Sequence, residues 1–223
     1  MGSLKRVHKD KNPVFCVITP LLPGDKISKD TKVTVKRNDY PFIWAAYESE
    51  NNVARNFKLG IQEIEQLRNV MFGVQKLPDF IIKVDNDTVW RRNTLDHMVD
   101  TLKEASENVA YSYVSFEYKG SVNQAFPAVS FDPDKLRRMN YISSNSMFRT
   151  KVLREIPLVD DDKYKRLLDW AYYLKLLNNG YIGIPCERGY FVANSSGDSV
   201  SADSRDDFIL KYKRVVEDFI KGE

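Results

Sequence analysis

The sequence predicts a single α/β domain in which a mostly parallel central sheet is flanked by helices. Short apolar runs typical of buried strands alternate with longer amphipathic segments through the first half of the chain. The chain has 223 residues, of which 43% are hydrophobic, so it can bury a sizeable core. No composition shift or linker divides the sequence. We therefore expect a flexible tail over residues 1–12 and one domain over residues 13–223.

The charge balance and the two cysteines narrow the class of protein. Lys and Arg number 34 and Asp and Glu number 31, and this small excess argues against nucleic acid or an anionic membrane as the main partner. Cys16 and Cys186 stand in apolar sequence, which predicts two reduced core thiols and a cytoplasmic protein. No apolar run is long enough to cross a bilayer, and the N-terminus lacks the apolar region of a signal peptide.

The first half of the chain begins with two strands and a helix. Residues 14–22 are an apolar run that stops at Pro-Gly, which predicts a buried strand. Residues 24–41 are polar, and we expect a loop with a short exposed strand at 32–36. Residues 42–47 read as a second strand, and the amphipathic pattern of residues 48–72 predicts a helix.

A third strand, at residues 80–84, leads into the sequence Asp-Asn-Asp. Thr94 is the predicted N-cap of the helix that follows. The remaining predicted elements are strands at 109–118, 181–186 and 189–193, a turn into a short helix at 143–156, and helices at 164–180 and 206–222.

Two carboxylates one residue apart follow the third strand. Asp85 and Asp87 point toward the same side of an extended chain, and apolar flanking sequence makes two uncompensated charges costly there. A divalent cation would remove that cost, since Mg²⁺ and Mn²⁺ prefer oxygen ligands and bind one or two carboxylates together with substrate phosphates. Ligands of open α/β sheets also bind beyond the carboxyl ends of strands. The alternative is a plain turn, because Asp and Asn are common where strands end.

The order of the motifs resembles the GT-A nucleotide-sugar glycosyltransferases of the family 2 type. The matching segments are VFCVITPLL, ENNVARNFKLGI, IIKVDND, ISSNSMFRTKVLREI, LLDWAYYLKLLNNGY and NSSGDSVSA, which together run from residue 14 to residue 202. The resemblance implies a GT-A (Rossmann-like) fold. It also implies metal-dependent transfer of a sugar from a nucleotide-diphosphate donor, UDP-hexose above all, to a glycan or other hydroxyl acceptor, with inversion. A narrower resemblance is to glycosyltransferase domains encoded by large chlorella viruses, which would place the protein in the host cytoplasm.

The resemblance assigns roles to residues of the donor site. Asp85 and Asp87 correspond to the family's D-x-D and would hold Mn²⁺ or Mg²⁺. The nucleotide-binding positions implied are Thr19, Pro20, Leu21, Glu48, Arg55, Asp85 and Asn86. Three departures stand out: Asn52 replaces a glycine, KLGI carries one extra residue, and Glu48, or Glu50 as second match, stands where the family shows Asp.

Asp169 matches the carboxylate that acts as general base in inverting members. It would take the proton of the acceptor hydroxyl, and the apolar residues around it would raise its pKa toward a useful value. The family's preceding Glu is Leu168 here. The family's third metal ligand is a late His, and Asn194 or Asp198 stands in that region instead, so water could complete the coordination.

Several alternatives remain open at the level of sequence. A sugar-phosphate nucleotidyltransferase would carry a Gly-rich loop after the first strand, which TPLLPGDKISKD lacks. A noncatalytic nucleotide-sugar-binding module of the same fold and a retaining mechanism are both compatible with the motifs. The tryptophans are expected in the core, with Trp90 a candidate sugar platform. We expect the acidic segment VDDDKYK to be a solvated loop.

Overall fold

The computed structural model describes residues 3–7, 12–48, 53–72, 77–120, 123–195 and 205–221. Within these residues nine strands form one sheet, and seven α-helices accompany it. The strands are Ser3–Val7 (β1), Phe15–Leu21 (β2), Phe42–Glu48 (β3), Phe80–Lys83 (β4), Thr88–Trp90 (β5), Val109–Gly120 (β6), Gln124–Phe126 (β7), Met147–Arg149 (β8) and Ile182–Ser195 (β9). The helices are Lys29–Lys36 (α1), Val53–Phe72 (α2), Thr94–Glu104 (α3), Pro133–Arg138 (α4), Thr150–Glu155 (α5), Leu168–Asn178 (α6) and Arg205–Phe219 (α7).

The sheet has the order β1-β3-β2-β4-β8-β6-β9-β5, with β7 paired to β6. Strand β2 is parallel to β3 and to β4, and β6 is parallel to β9. The other pairs are antiparallel. The α/β class is confirmed, but the sheet is mixed where the sequence predicted it to be mostly parallel.

The first residues of β2 and β4 form continuous apolar runs because both faces of the sheet are covered. On β2, Cys16 and Ile18 join one hydrophobic cluster, while Phe15 and Val17 join the cluster on the other face. This explains why a strand with period-2 geometry shows no polar alternation in sequence.

Helix α1 replaces the loop and exposed strand expected over residues 24–41. The alternating sequence of residues 32–36 suits a strand, but Ser28 caps a helix by accepting a hydrogen bond from the Thr31 N–H at 3.0 Å. Thr31, Thr34 and Val35 then share the buried face at helical spacing.

Three further boundaries differ from the sequence predictions. Ser3–Val7 were assigned to the flexible tail, yet they pair with the free edge of β3 as an antiparallel strand. The two late strands are one, β9. The N-cap position of α3 is Asn93, in the left-handed conformation (φ 59°) and without a capping hydrogen bond from its side chain, and not Thr94. The position before the first helical residue is the cap, and the left-handed backbone that suits Asn is not visible from the apolar pattern.

Two stacked tyrosines lie at the centre of the core between the sheet and α6. The rings of Tyr111 on β6 and Tyr173 on α6 are 4.7 Å apart and both side chains are fully buried. The Tyr173 hydroxyl donates to the Ser143 carbonyl at 2.6 Å and lies 2.8 Å from the Ser146 hydroxyl. In the described part of the chain, the Tyr111 hydroxyl has no hydrogen-bond partner.

We predict opposite effects for the two Tyr→Phe substitutions. Tyr111→Phe removes a buried hydroxyl without a partner, so the free energy of unfolding should stay unchanged or rise by up to about 1 kcal/mol. Tyr173→Phe removes a satisfied hydroxyl and one of the two hydrogen bonds that the Ser143 carbonyl accepts, the other coming from the Ser146 hydroxyl, so it should cost about 1 kcal/mol. Urea unfolding of the two variants beside the wild type checks this. Equal losses would show that the Tyr111 hydroxyl is satisfied after all.

Candidate active site

The Asp-Asn-Asp sequence forms a turn between β4 and β5 at the carboxyl edge of the sheet. The Val84 N–H donates to the Ile18 carbonyl at 2.9 Å, which extends the parallel pairing with β2 to the start of the turn. The Thr88 hydroxyl donates to the Asp85 carbonyl at 2.6 Å and closes the turn. Backbone pairing on both sides therefore fixes where the two carboxylates stand.

Asp85 is held by a lysine of its own strand. The Nζ of Lys83 lies 2.6 and 2.7 Å from the two carboxylate oxygens of Asp85. It also donates to the Ser144 hydroxyl at 2.9 Å. The backbone N–H of Asp85 donates to the side chain of Asn145 at 3.0 Å. The loop before β8 therefore binds the side chain of Lys83 through Ser144 and the backbone of Asp85 through Asn145.

Asp87 is exposed and lies beside the end of β9. Its backbone carbonyl accepts from the Asn194 N–H at 3.1 Å. Desolvation and then the negative charge of Asp85 raise the pKa of the Asp87 carboxyl. The structure therefore brings Asn194, one of the two expected third ligands, next to the turn. Asp198 lies outside the described residues.

Asn86 is committed to the loop that precedes α1. Its side chain accepts from the Ser28 N–H at 2.8 Å and donates to the Lys26 carbonyl at 3.0 Å. Its backbone carbonyl accepts from the Thr31 hydroxyl at 3.0 Å. Asn86 therefore connects the turn to the loop before α1. Its role in binding a nucleotide stays a prediction.

The other predicted nucleotide-binding positions lie where β2 and β3 end. Thr19 is fully buried and its hydroxyl accepts from the indole N–H of Trp44 at 3.1 Å. Pro20 and Leu21 are buried too, and the Leu21 carbonyl accepts from Asn56 at 2.9 Å. Glu48 accepts from the Gly24 N–H at 2.9 Å. Because the side chains of Thr19, Pro20 and Leu21 are buried, a ligand here would contact mainly the backbone at the strand ends and the side chain of Glu48.

Arg55 lies at the start of α2 and faces an acidic loop. Its guanidinium is 4.0 Å from the carboxylate of Asp162, and Lys58 pairs with Asp160 at 2.6 Å. The segment VDDDKYK, predicted to be a solvated loop, therefore gains two basic partners from α2. Glu50, the second candidate beside Glu48, falls outside the described residues.

Asp169 lies in the first turn of α6 and is half-buried. Burial raises the pKa of its carboxyl, while hydrogen bonds from the Trp170 N–H (2.9 Å) and the Asn140 side chain (3.0 Å) and the charge of Lys83 oppose that shift. The helix N-terminus also favours the ionised form. The result is a carboxylate that is more basic than an exposed aspartate.

Two side chains that the sequence analysis missed complete the site. Tyr118, at the exposed end of β6, has a hydroxyl whose pKa is raised by burial and by the charges of Asp169, Asp85 and Asp87. The other is Lys83, whose charge lowers the pKa of both Asp87 and Asp169. The signal for Lys83 was its i, i+2 spacing to Asp85 on a strand. Tyr118 had no such signal.

The tryptophans belong to the core, as expected. Trp44 and Trp170 are buried, and Trp90 is buried and stacks on Phe191 with ring centroids 4.6 Å apart. The structure thus excludes Trp90 as a sugar platform, since its ring is enclosed. Tyr118 is an exposed aromatic residue whose hydroxyl is affected by the charges of the three carboxylates.

The donor set at the turn fits a divalent cation held jointly by protein and ligand. In the residues that the structure describes, no group of three or more His, Cys, Asp or Glu side chains could hold a metal ion. Two carboxylates suffice, however, where substrate phosphates supply the other oxygens. The exposed Asp87 is open to such a cation, whereas both oxygens of Asp85 are engaged by Lys83.

Comparison with solved structures identifies the fold. The glycosyltransferase-like architecture is shared with S. aureus TarS 1–349 in complex with UDP-GlcNAc (TM-score 0.56, 16% identity, 90% of this chain and 65% of that chain). It is also shared with the mannosyltransferase PcManGT from Pyrobaculum calidifontis in complex with GDP-Man and Mn²⁺ (TM-score 0.54, 12% identity, 86% and 59%). This chain has a GT-A-like glycosyltransferase fold.

The GT-A-like fold is the extent of what these likenesses show. The chain spans 38% of the full TarS chain, with 15% identity and a TM-score of 0.54. A glycosyltransferase involved in the glycosylation of the major capsid of PBCV-1 matches 64% of this chain and 63% of that chain with a TM-score of 0.37 at 14% identity, and the narrower resemblance to chlorella virus domains stays a prediction. No protein-family model matches the chain, and no curated protein matches it in sequence. Across the described segments, no helix is both long and apolar enough to span a membrane.

We predict that Asp169→Asn will be at least as stable as the wild type at pH 7. Burial makes the ionised form of Asp169 less favourable in the folded protein, so its folded pKa exceeds the unfolded value of about 3.9. Asparagine can still accept the bond from Asn140 without carrying charge. The gain in melting temperature should be full above the folded pKa and shrink as the pH falls toward the unfolded one. Thermal melts from pH 8 to pH 5 check this, and a lower melting temperature at pH 8 would contradict it.

Proposed function

We propose that the chain is a glycosyltransferase that moves a sugar from a nucleotide-diphosphate donor, UDP-hexose, to the hydroxyl of a glycan or similar acceptor. One observation carries the proposal: Lys83 holds Asp85 at the carboxyl edge of the sheet and donates to Ser144, and the loop of Ser144 is bonded through Ser143 to α6, the helix that carries Asp169. The charges of Asp169, Asp85 and Asp87 also help to raise the pKa of the Tyr118 hydroxyl. The GT-A-like fold supports it, because two solved neighbours that share the fold bind nucleotide sugars: TarS 1–349 is in complex with UDP-GlcNAc, and the mannosyltransferase PcManGT with GDP-Man.

The proposed reaction is a displacement at the anomeric carbon with inversion. The acceptor oxygen attacks that carbon as Asp169 takes the hydroxyl proton, and the bond to the diphosphate oxygen breaks. The Asn140 bond at 3.0 Å orients the Asp169 carboxylate and leaves it further acceptor capacity. Asp87, and Asp85 once it is released by Lys83, would hold a Mn²⁺ or Mg²⁺ ion with the diphosphate. A bound cation of this kind supplies Lewis-acid stabilisation of the leaving phosphate.

The donor side of the site is expected to lie between the turn and the loop clamped by Asn86. Glu48 and the ends of β2 and β3 border that space, and Arg55 stands at the start of α2. These positions would contact the base and ribose, and Tyr118 would face the sugar or acceptor. Asn194, next to Asp87 on β9, would complete the cation's coordination directly or through water.

A thermal-shift screen of nucleotide sugars with and without Mn²⁺ tests the donor. A ligand at about 100 times its Kd stabilises the native state by about 2.7 kcal/mol, which corresponds to roughly 5–10 °C for a chain of this size. We expect such a shift for one UDP-sugar with Mn²⁺ and a smaller one without it. Asp87→Ala should abolish the Mn²⁺-dependent part. Asp206→Ala, at an exposed acid on α7, should leave it intact. A metal-independent shift that Asp87→Ala does not change would contradict the role of Asp87.

Transfer assays test Asp169 as the base. Asp169→Asn should retain the donor-dependent thermal shift and lose about 10²–10⁴-fold in kcat, because the proton of the acceptor has no base to receive it. Asn140→Ala keeps the carboxylate but removes its orienting hydrogen bond, together with the bond that Asn140 accepts from the Ile142 N–H, and should lose less. Near-normal transfer by Asp169→Asn would indicate retention or another base. Donor binding by the wild type without transfer to any hydroxyl acceptor would indicate a noncatalytic binding module.

A further inference from the structure

Lys83 is the charged residue of the site to which the proposed reaction assigns no task. It precedes Asp85 by two residues and therefore leaves β4 toward the same side. Its Nζ donates to both oxygens of Asp85 and to the Ser144 hydroxyl, at distances of 2.6, 2.7 and 2.9 Å. An ammonium group has three N–H donors, so these contacts use its full capacity.

The Lys83–Asp85 pair differs from an ordinary surface ion pair. The Lys83 side chain is only 9% exposed, and that of Asp85 is 24% exposed. Exposed pairs contribute little, but a buried ammonium needs a compensating charge to offset its lost hydration. Asp85 supplies this charge, so the ion pair with Asp85 is what allows the Lys83 ammonium to be buried.

The surroundings of Lys83 are acidic on more than one side. Asp87 lies on the same turn, and Asp169 reaches the site from α6; the positive charge of Lys83 acts on both. The same three carboxylates also raise the pKa of the Tyr118 hydroxyl. One positive charge is thus shared by three negative ones.

We propose that Lys83 and a divalent cation are alternative partners of Asp85, an inference that rests on the proposed function. In the donor-free protein Lys83 neutralises Asp85 and holds it in place. Two cations on one carboxylate repel each other, so a metal ion engages Asp85 only when Nζ moves away. The nucleotide diphosphate makes this exchange favourable, because its charge attracts both the cation and the displaced ammonium. The metal therefore enters mainly together with the nucleotide.

The decisive measurement is Mn²⁺ binding to the nucleotide-free protein, followed by loss of the electron-paramagnetic-resonance signal of free Mn²⁺. Lys83→Met removes the competing charge and keeps an apolar side chain of similar length. We expect it to bind Mn²⁺ about tenfold more tightly than the wild type, within the usual range of coupling between two ligands of one protein. Adding Asp85→Asn to Lys83→Met should abolish the gain, because the amide cannot replace the carboxylate.

Two controls separate competition from a change in net charge. Lys151→Met removes the same charge from an exposed position on α5, where the lysine pairs with Glu107, and should leave Mn²⁺ binding unchanged. Lys83→Arg keeps a cation that can pair with both oxygens of Asp85 and should show no gain. If Lys83→Met does not fold, Lys83→Gln serves instead, since its amide can donate to Asp85 without a positive charge.

Equal or weaker Mn²⁺ binding by the uncharged Lys83 variants would overturn this inference, as would a gain of the same size in Lys151→Met. These outcomes are independent of the donor, because no nucleotide is present in the titration. The thermal-shift screen judges the proposed function separately: a donor-dependent shift in the wild type alongside unchanged Mn²⁺ binding in Lys83→Met would retain the transferase and reject the competition.

Discussion

Three carboxylates at the edge of an apolar sheet require a positive charge within reach, and Lys83 meets this requirement. The lysine is fixed because β4 pairs with β2 in parallel register and extends that pairing through Val84. From there its ammonium fixes Asp85 and, through Ser144, the loop before β8. Without this charge, no positive side chain in the turn would offset the repulsion between the carboxylates of Asp85 and Asp87, which is stronger next to the buried strand than in water. The geometry of the turn follows from that balance.

The features that sequence predicts well are those set by local pattern. Residues 80–82 of β4 are apolar on both faces, so a central strand leading to two aspartates was foreseeable, as was their position at the carboxyl edge. Asp169 was recognisable because Leu167 and Trp170 place an acid beside a buried helix face, and burial does raise its pKa. In each case a few neighbouring residues carry the whole signal.

The features that sequence did not predict depend on distant partners. Helix α1 begins at a loop that Asn86 holds from 58 residues away, and no local pattern reports that bond. Strand β1 exists because β3 has a free edge, and the antiparallel direction of β8 depends on the sheet as a whole. Tyr118 belongs to the site only because the end of β6 comes to lie near the carboxylates. The spacing of Lys83 to Asp85 could be recognised in the sequence, but the burial of Lys83 and its hydrogen bond to Ser144 could not.

The turn forms hydrogen bonds with segments that are far apart in the chain, so a change in the turn is expected to affect several of them. Asn86 binds the loop before α1, Asn145 accepts from the backbone of Asp85, and the Asp87 carbonyl accepts from the end of β9. Tyr173 in turn ties the Ser143–Ser146 loop to α6, where Asp169 stands. A charged ligand at the turn would therefore meet residues that are bonded to the loop before α1, to the loop before β8 and to the end of β9. Because the loop before β8 is also bonded to α6, a change in the hydrogen bonds of Asp85 would reach the helix of the candidate base without movement of a domain.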